Sequence, residues 1–196
     1  MVWEVGARIR PGRVVSHFAA AALRLPEAVA VADQALWHRR EGGPLVTCAE
    51  LRDAAHSRVG RGAARAVRAA EFATPLADSV RESQSRVLVW TMGFPTPELQ
   101  AHFVLSDGRD AFTDFFWREF RHIGEFDGAG KYRDPRLLRG RSAQQVLLDE
   151  KDREDDLRRQ VAAFSRWRVR QLTAPRELYD ILREAGLPSS RPRPGR

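Results

Sequence analysis

Two aromatic-rich runs, residues 111–117 (Ala-Phe-Thr-Asp-Phe-Phe-Trp) and 120–126 (Phe-Arg-His-Ile-Gly-Glu-Phe), stand only two residues apart. A pair of short runs like this, broken by Arg118-Glu119, reads as two strands of a largely buried hairpin. With Arg118-Glu119 as a two-residue turn, Asp114 lies opposite Ile123, and Glu125 is its diagonal neighbour on the same face. The two carboxylates then stand roughly 5–8 Å apart at their Cβ atoms, and Asp127 continues that face. Three carboxylates converge with no fixed cation between them, which is unfavourable unless one holds a proton or a metal bridges them. Carboxylates among buried aromatics are also costly without a partner. Oxygen donors of this kind suit hard cations, so Asp114, Glu125 and Asp127 are candidate ligands for Mg²⁺ or Mn²⁺. The competing expectation is that the acids lie on an exposed face of the hairpin.

The rest of the chain divides around this hairpin. Residues 1–73 carry helix signals and no strand signal, and they are expected to form a helical segment. Helices are expected over 14–25, over 27–39 behind Pro26, over 48–58 behind a Thr47/Glu50 capping box, and over 63–72. From residue 74 the pattern changes. Thr74-Pro75 is expected to open a helix reaching Met92, with Val80, Val87 and Trp90 as its apolar stripe. A strand over 100–106 and the Asp107-Gly108 turn lead into the hairpin. Ser142 and Gln145 open a charged helix to about residue 163, followed by a strand over 168–172 and a helix over 175–185. Residues 74–187 are therefore expected to be one α/β domain, and the Pro-, Arg- and Ser-rich 188–196 a disordered tail.

Composition narrows the partners. The net charge is +7 and the sequence pI about 10.7, which points to nucleic-acid phosphate. Only Lys131 and Lys151 are lysines, so the excess is arginine, a bias that a GC-rich genome also produces. Cys48 is the single cysteine, which excludes an internal disulfide and a cysteine-held zinc. The first residues carry Arg8 and Arg10 without an apolar run behind them, and no stretch approaches a membrane span, so a cytoplasmic protein is expected.

Several segments together carry a resemblance. They are Glu82-Ser83, Gly93-Phe-Pro-Thr-Pro-Glu-Leu-Gln100, Asp114-Phe-Phe-Trp117, Ile123-Gly-Glu-Phe-Asp-Gly128, Lys131-Tyr132 and Glu150-Lys-Asp-Arg-Glu-Asp-Asp-Leu157. Over about residues 74–173 the chain resembles a bacterial domain family of unknown function, related to very-short-patch repair endonucleases and often found behind an AbiEi-type antitoxin-like winged helix. The resemblance implies a restriction-endonuclease-like core of the PD-(D/E)xK kind, a mixed sheet flanked by helices, following an N-terminal helical segment. It implies metal-dependent hydrolysis of DNA phosphodiesters, with Asp114 and Glu125 as ligands and Glu82 reaching in from the first helix. It also brings in a toxin, antitoxin or defence component as a candidate partner. One departure stands out: the superfamily expects lysine two residues after the second acid, where this chain has Asp127. Lys131 is the candidate substitute, and a loop lysine in solvent is its plain alternative. Arg153 and Arg158 are candidate phosphate contacts. Loss of the lysine favours the rival expectation, a non-catalytic DNA-binding or antitoxin-like regulator that keeps the fold.

Overall fold

A computed structural model describes residues 23–128 and 142–195. Lys131 and most of the 14–25 helix lie outside these residues. Among the described residues there are seven α-helices and a four-stranded mixed sheet. None of these helices is long and apolar enough to cross a membrane. The chain divides into two compact units between Val87 and Leu88, inside a helix, rather than at the expected 73/74 boundary.

The described part of the first unit, residues 23–87, is helical, as the sequence suggests. Helices α1 (Leu25–Leu36), α2 (Cys48–His56) and α3 (Ala63–Phe72) bury alanines and a few aliphatic side chains against one another. The Thr47/Glu50 capping box forms: Glu50 N–H donates to Thr47 Oγ1 at 3.2 Å, and Thr47 N–H to Glu50 Oε2 at 2.8 Å. Within this unit Asp33 is fully buried and accepts from Arg86 at 2.8 Å and from Thr74 N–H at 2.7 Å. Burial raises the Asp33 carboxyl above its ordinary value, although Arg86 opposes the rise.

Helix α4 (Val80–Thr91) starts later than expected. Asp33 ties down Thr74 N–H, and the cap falls to Ser79, whose Oγ accepts from Glu82 N–H at 3.1 Å. The buried side of α4 includes Val87 and Val89, whereas Val80 and Trp90 are exposed, so the expected stripe is displaced.

The second unit builds the sheet in the order β1-β2-β3-β4. Strands β1 (Glu98–Val104), β2 (Asp110–Trp117) and β3 (His122–Phe126) run antiparallel as a meander. Helix α5 (Ala143–Gln160) then leads into β4 (Ala163–Trp167), which pairs parallel with β3. The last strand thus precedes the expected 168–172. Those residues instead belong to a short helix, α6 (Val169–Thr173), followed by α7 (Pro175–Glu184). One sheet face carries Phe115, Trp117, Phe126 and Trp167 and packs on α7 and the end of α4, through Leu178, Leu182, Val89 and Met92. The other carries Phe116 and Ile123 under Leu157 of α5, with Phe164 beside them. Helices thus cover both faces, and a sheet buried on both sides explains apolar runs without clean alternation.

Residues 188–195 are held, not loose. Ser189 Oγ donates to Met92 O at 2.7 Å, Ser190 N–H to Gly93 O at 3.0 Å, and Arg191 Nη1 to Thr91 O at 2.8 Å. Composition suggested disorder, but these donors, two side chains and one backbone N–H, meet backbone carbonyls left open where α4 ends.

Candidate functional site

The hairpin connection is longer than two residues. Arg118–Phe120 form a 3₁₀ turn and Arg121 takes a left-handed conformation at φ 44°, so Trp117 pairs with His122, Phe116 with Ile123, and Phe115 with Gly124. Relative to the expected register the strands slip by two residues, a slip that leaves every side chain on its own face. The paired ladder ends there, and the same two-residue alternation puts Asp114 and Glu125, just beyond it, on the face that carries Phe116 and Ile123. Asp114 Oδ2 accepts from Phe126 N–H at 2.8 Å, which locks the two strands at the acids. On the other side of β2 the ladder passes from Leu99↔Phe115 to Ala101↔Thr113, and Gln100 between them sits at φ 51°.

The expectation of carboxylates without a fixed cation is overturned. Glu125 is 7% exposed, and each of its oxygens meets a guanidinium: Arg153 at 2.9 Å from α5 and Arg166 at 2.9 Å from β4. Arg166 is directly in register with Glu125 across the parallel pair β3–β4. Both arginines are shared with further acids, Arg153 with Glu150 at 3.3 Å and Arg166 with Glu154 at 2.9 Å. Arg153 also donates to Phe112 O at 2.7 Å. Burial opposes the charge on Arg153, yet Glu125, Glu150 and Asp114 together push its pKa above the ordinary value. Arg166 behaves alike: burial works against its charge, and Glu125, Glu154 and Glu150 overcome it. The acids around them therefore hold both guanidinium groups charged and in place.

The other candidates have separate roles. Asp127 accepts from Arg168 at 2.6 Å, and among the described residues no three His, Cys, Asp or Glu side chains gather as a metal-holding group. Glu82 closes its own helix start, accepting from Asp78 N–H at 2.9 Å and Ser79 Oγ at 2.7 Å. Arg158 pairs with Glu154 at 2.6 Å and lies over the Phe164 ring at 4.4 Å. Arg166, Glu150 and Glu154 went unforeseen because the sequence placed the last strand at 168–172, which leaves position 166 before it. The available signal was the Phe164-x-x-Trp167 spacing, with Ser165 and Trp167 pointing one way and Phe164 and Arg166 the other. Compared with known proteins, the chain matches no family model, and no curated protein or solved structure matches it.

Asp114 and Glu125 carry the oxygen donors a hard divalent cation takes, but both Glu125 oxygens already meet guanidinium groups and Asp114 Oδ2 accepts from Phe126 N–H. These two residues would hold it. Such an ion would lower the pKa of a bound water and neutralise charge on a phosphate.

Proposed function

We propose that residues 88–195 are a nuclease-type domain of the PD-(D/E)xK kind, allied to the very-short-patch-related family, which hydrolyses DNA phosphodiesters with Mg²⁺ or Mn²⁺ at Asp114 and Glu125. The observation that carries this reading is the placement of Asp114 on β2 and Glu125 on β3 on one face of the sheet, with Asp114 bonded to the backbone next to Glu125. The sheet supports it as well, because a β1–β2–β3 meander, a helix and a fourth strand is the core layout of restriction-endonuclease-like domains. The arginine-rich chain would bind the DNA backbone, with phosphate contacts drawn from α5.

A test that needs no turnover is the melting temperature. Mg²⁺ or Mn²⁺ should raise it, because the folded state gains RT ln(1 + [L]/Kd) of stability, and Asp114→Asn should lose most of that gain. Nicking of duplex DNA in Mn²⁺, abolished by EDTA and by Glu125→Gln, is the matching activity assay. A melting temperature that ignores both metals would remove the metal site.

A second reading is a non-catalytic DNA-binding or antitoxin-like regulator on the same fold. Arg153 and Arg166 favour it, because they already neutralise Glu125, and so does Asp127 in place of the expected lysine. DNA binding that persists in EDTA, with no nicking in either metal, would select it.

A further inference from the structure

We propose that Arg153 and Arg166 form a guanidinium lock on this site: they hold Glu125 in the metal-free protein, and DNA phosphate draws them off it so that a divalent cation can bind. The inference rests on the metal-site reading above.

Glu125 is nearly inaccessible, and its two oxygens are taken by arginines from two different elements, α5 and β4. Two guanidinium charges match the charge of one divalent cation, so lock and metal compete for the same carboxylate. Neither arginine is sealed in. Their side chains are 21% and 27% exposed, and an incoming phosphate can reach them without unfolding the sheet. Guanidinium pairs with phosphate through the same two-pronged hydrogen bonding it offers a carboxylate. The lock is also incomplete: Arg166 Nε is buried and makes no hydrogen bond to a described residue, a donor left for a further oxygen. Phosphate on the arginines frees Glu125 for metal, and metal on Glu125 repels the arginines towards phosphate. Each ligand then strengthens the other by the same factor.

The experiment measures Mn²⁺ binding to the full chain by calorimetry, with and without a short DNA duplex. It compares the original protein with Arg166→Gln, Arg153→Gln and Arg166→Lys, each checked for folding by circular dichroism. The duplex should tighten Mn²⁺ binding to the original protein by about tenfold or more. Arg166→Gln should bind Mn²⁺ more tightly by a similar factor without DNA, and should lose most of the duplex effect. Arg166→Lys, which keeps a charge but not the fork, should fall between, and it carries the comparison if a Gln variant does not fold. Mn²⁺ binding of equal strength in original and variant proteins would overturn the lock and leave the metal site standing. Absence of Mn²⁺ binding from every protein, with or without duplex, would overturn the metal site and the lock with it.

Discussion

His122 is a titratable side chain that folding carries into the core. It is fully buried, its Nε2 lies 2.9 Å from Ser165 Oγ, and Trp117 stands 5.1 Å away ring to ring. Burial lowers its pKa to about 4. Above pH 6.5 the imidazole is neutral folded or unfolded, and it adds no pH dependence. Below that the unfolded chain takes up a proton that the folded one refuses, so stability falls as pH drops from 6.5 towards 4. Over the full window this amounts to about 3 kcal/mol. His122→Gln should remove that component, read as the difference between the two proteins in denaturant titrations across the window; parallel curves would refute it. Asp33 makes the opposite kind of case, a buried charge already paired. Asp33→Ala leaves Arg86 facing no anion and should cost about 3–5 kcal/mol. The double change Asp33→Leu with Arg86→Met should recover part of that loss in the same urea titration. A single variant as stable as the original would show the pair to be passive.

Among the elements, β3 carries the tightest packing. A Cβ on Gly124 would lie 2.7 Å from Trp167 Cη2 and 2.9 Å from Trp117 Cζ3. Both tryptophans are buried core side chains with nowhere to retreat. Gly124→Ala should therefore destabilise the second unit by about 1–3 kcal/mol, seen as a lower denaturation midpoint with tryptophan fluorescence as the probe. In β1 the strain lies in the backbone. Gln100 adopts the left-handed region at φ 51°, where a side chain costs about 1 kcal/mol or more. Gln100→Gly should raise stability by up to that amount, and a clear loss would mean that the glutamine side chain supports the fold. Strand β4 was the element least legible in the sequence. The Arg168-to-Leu172 run alternates as well as Ala163-to-Trp167 does, and only pairing with β3 distinguishes a strand from the start of a helix.

At the scale of the molecule, the 188–195 segment and the net charge make separate predictions. Ending the chain at Leu187 removes four hydrogen bonds to the backbone around Gly93 and the Arg193–Asp180 ion pair. At about 1 kcal/mol for each backbone contact, the second unit should lose about 1–3 kcal/mol; an unchanged midpoint would make the segment a passenger. The charge of +7 predicts DNA affinity that falls steeply with salt, log K being linear in log[salt] with a slope set by the phosphates neutralised. Affinity indifferent to salt would exclude the phosphate backbone as the contact.

The sequence by itself determined the helices between Leu25 and Phe72, the capping box at Thr47, the hairpin, and the shared face of Asp114 and Glu125. All of these depend on local signals or on the two-residue period of a strand, and that period survives a register slip of two. What the acids face was decided only in three dimensions. Arg153 and Arg166 lie 28 and 41 residues from Glu125 along the chain. Neither the 3.6-residue period of α5 nor the alternation of β4 says which carboxylate a guanidinium will meet. Parallel pairing of β4 with β3 sets Arg166 beside Glu125, and the packing of α5 over that face brings Arg153. A cluster that reads as bare negative charge in one dimension is, once folded, already compensated.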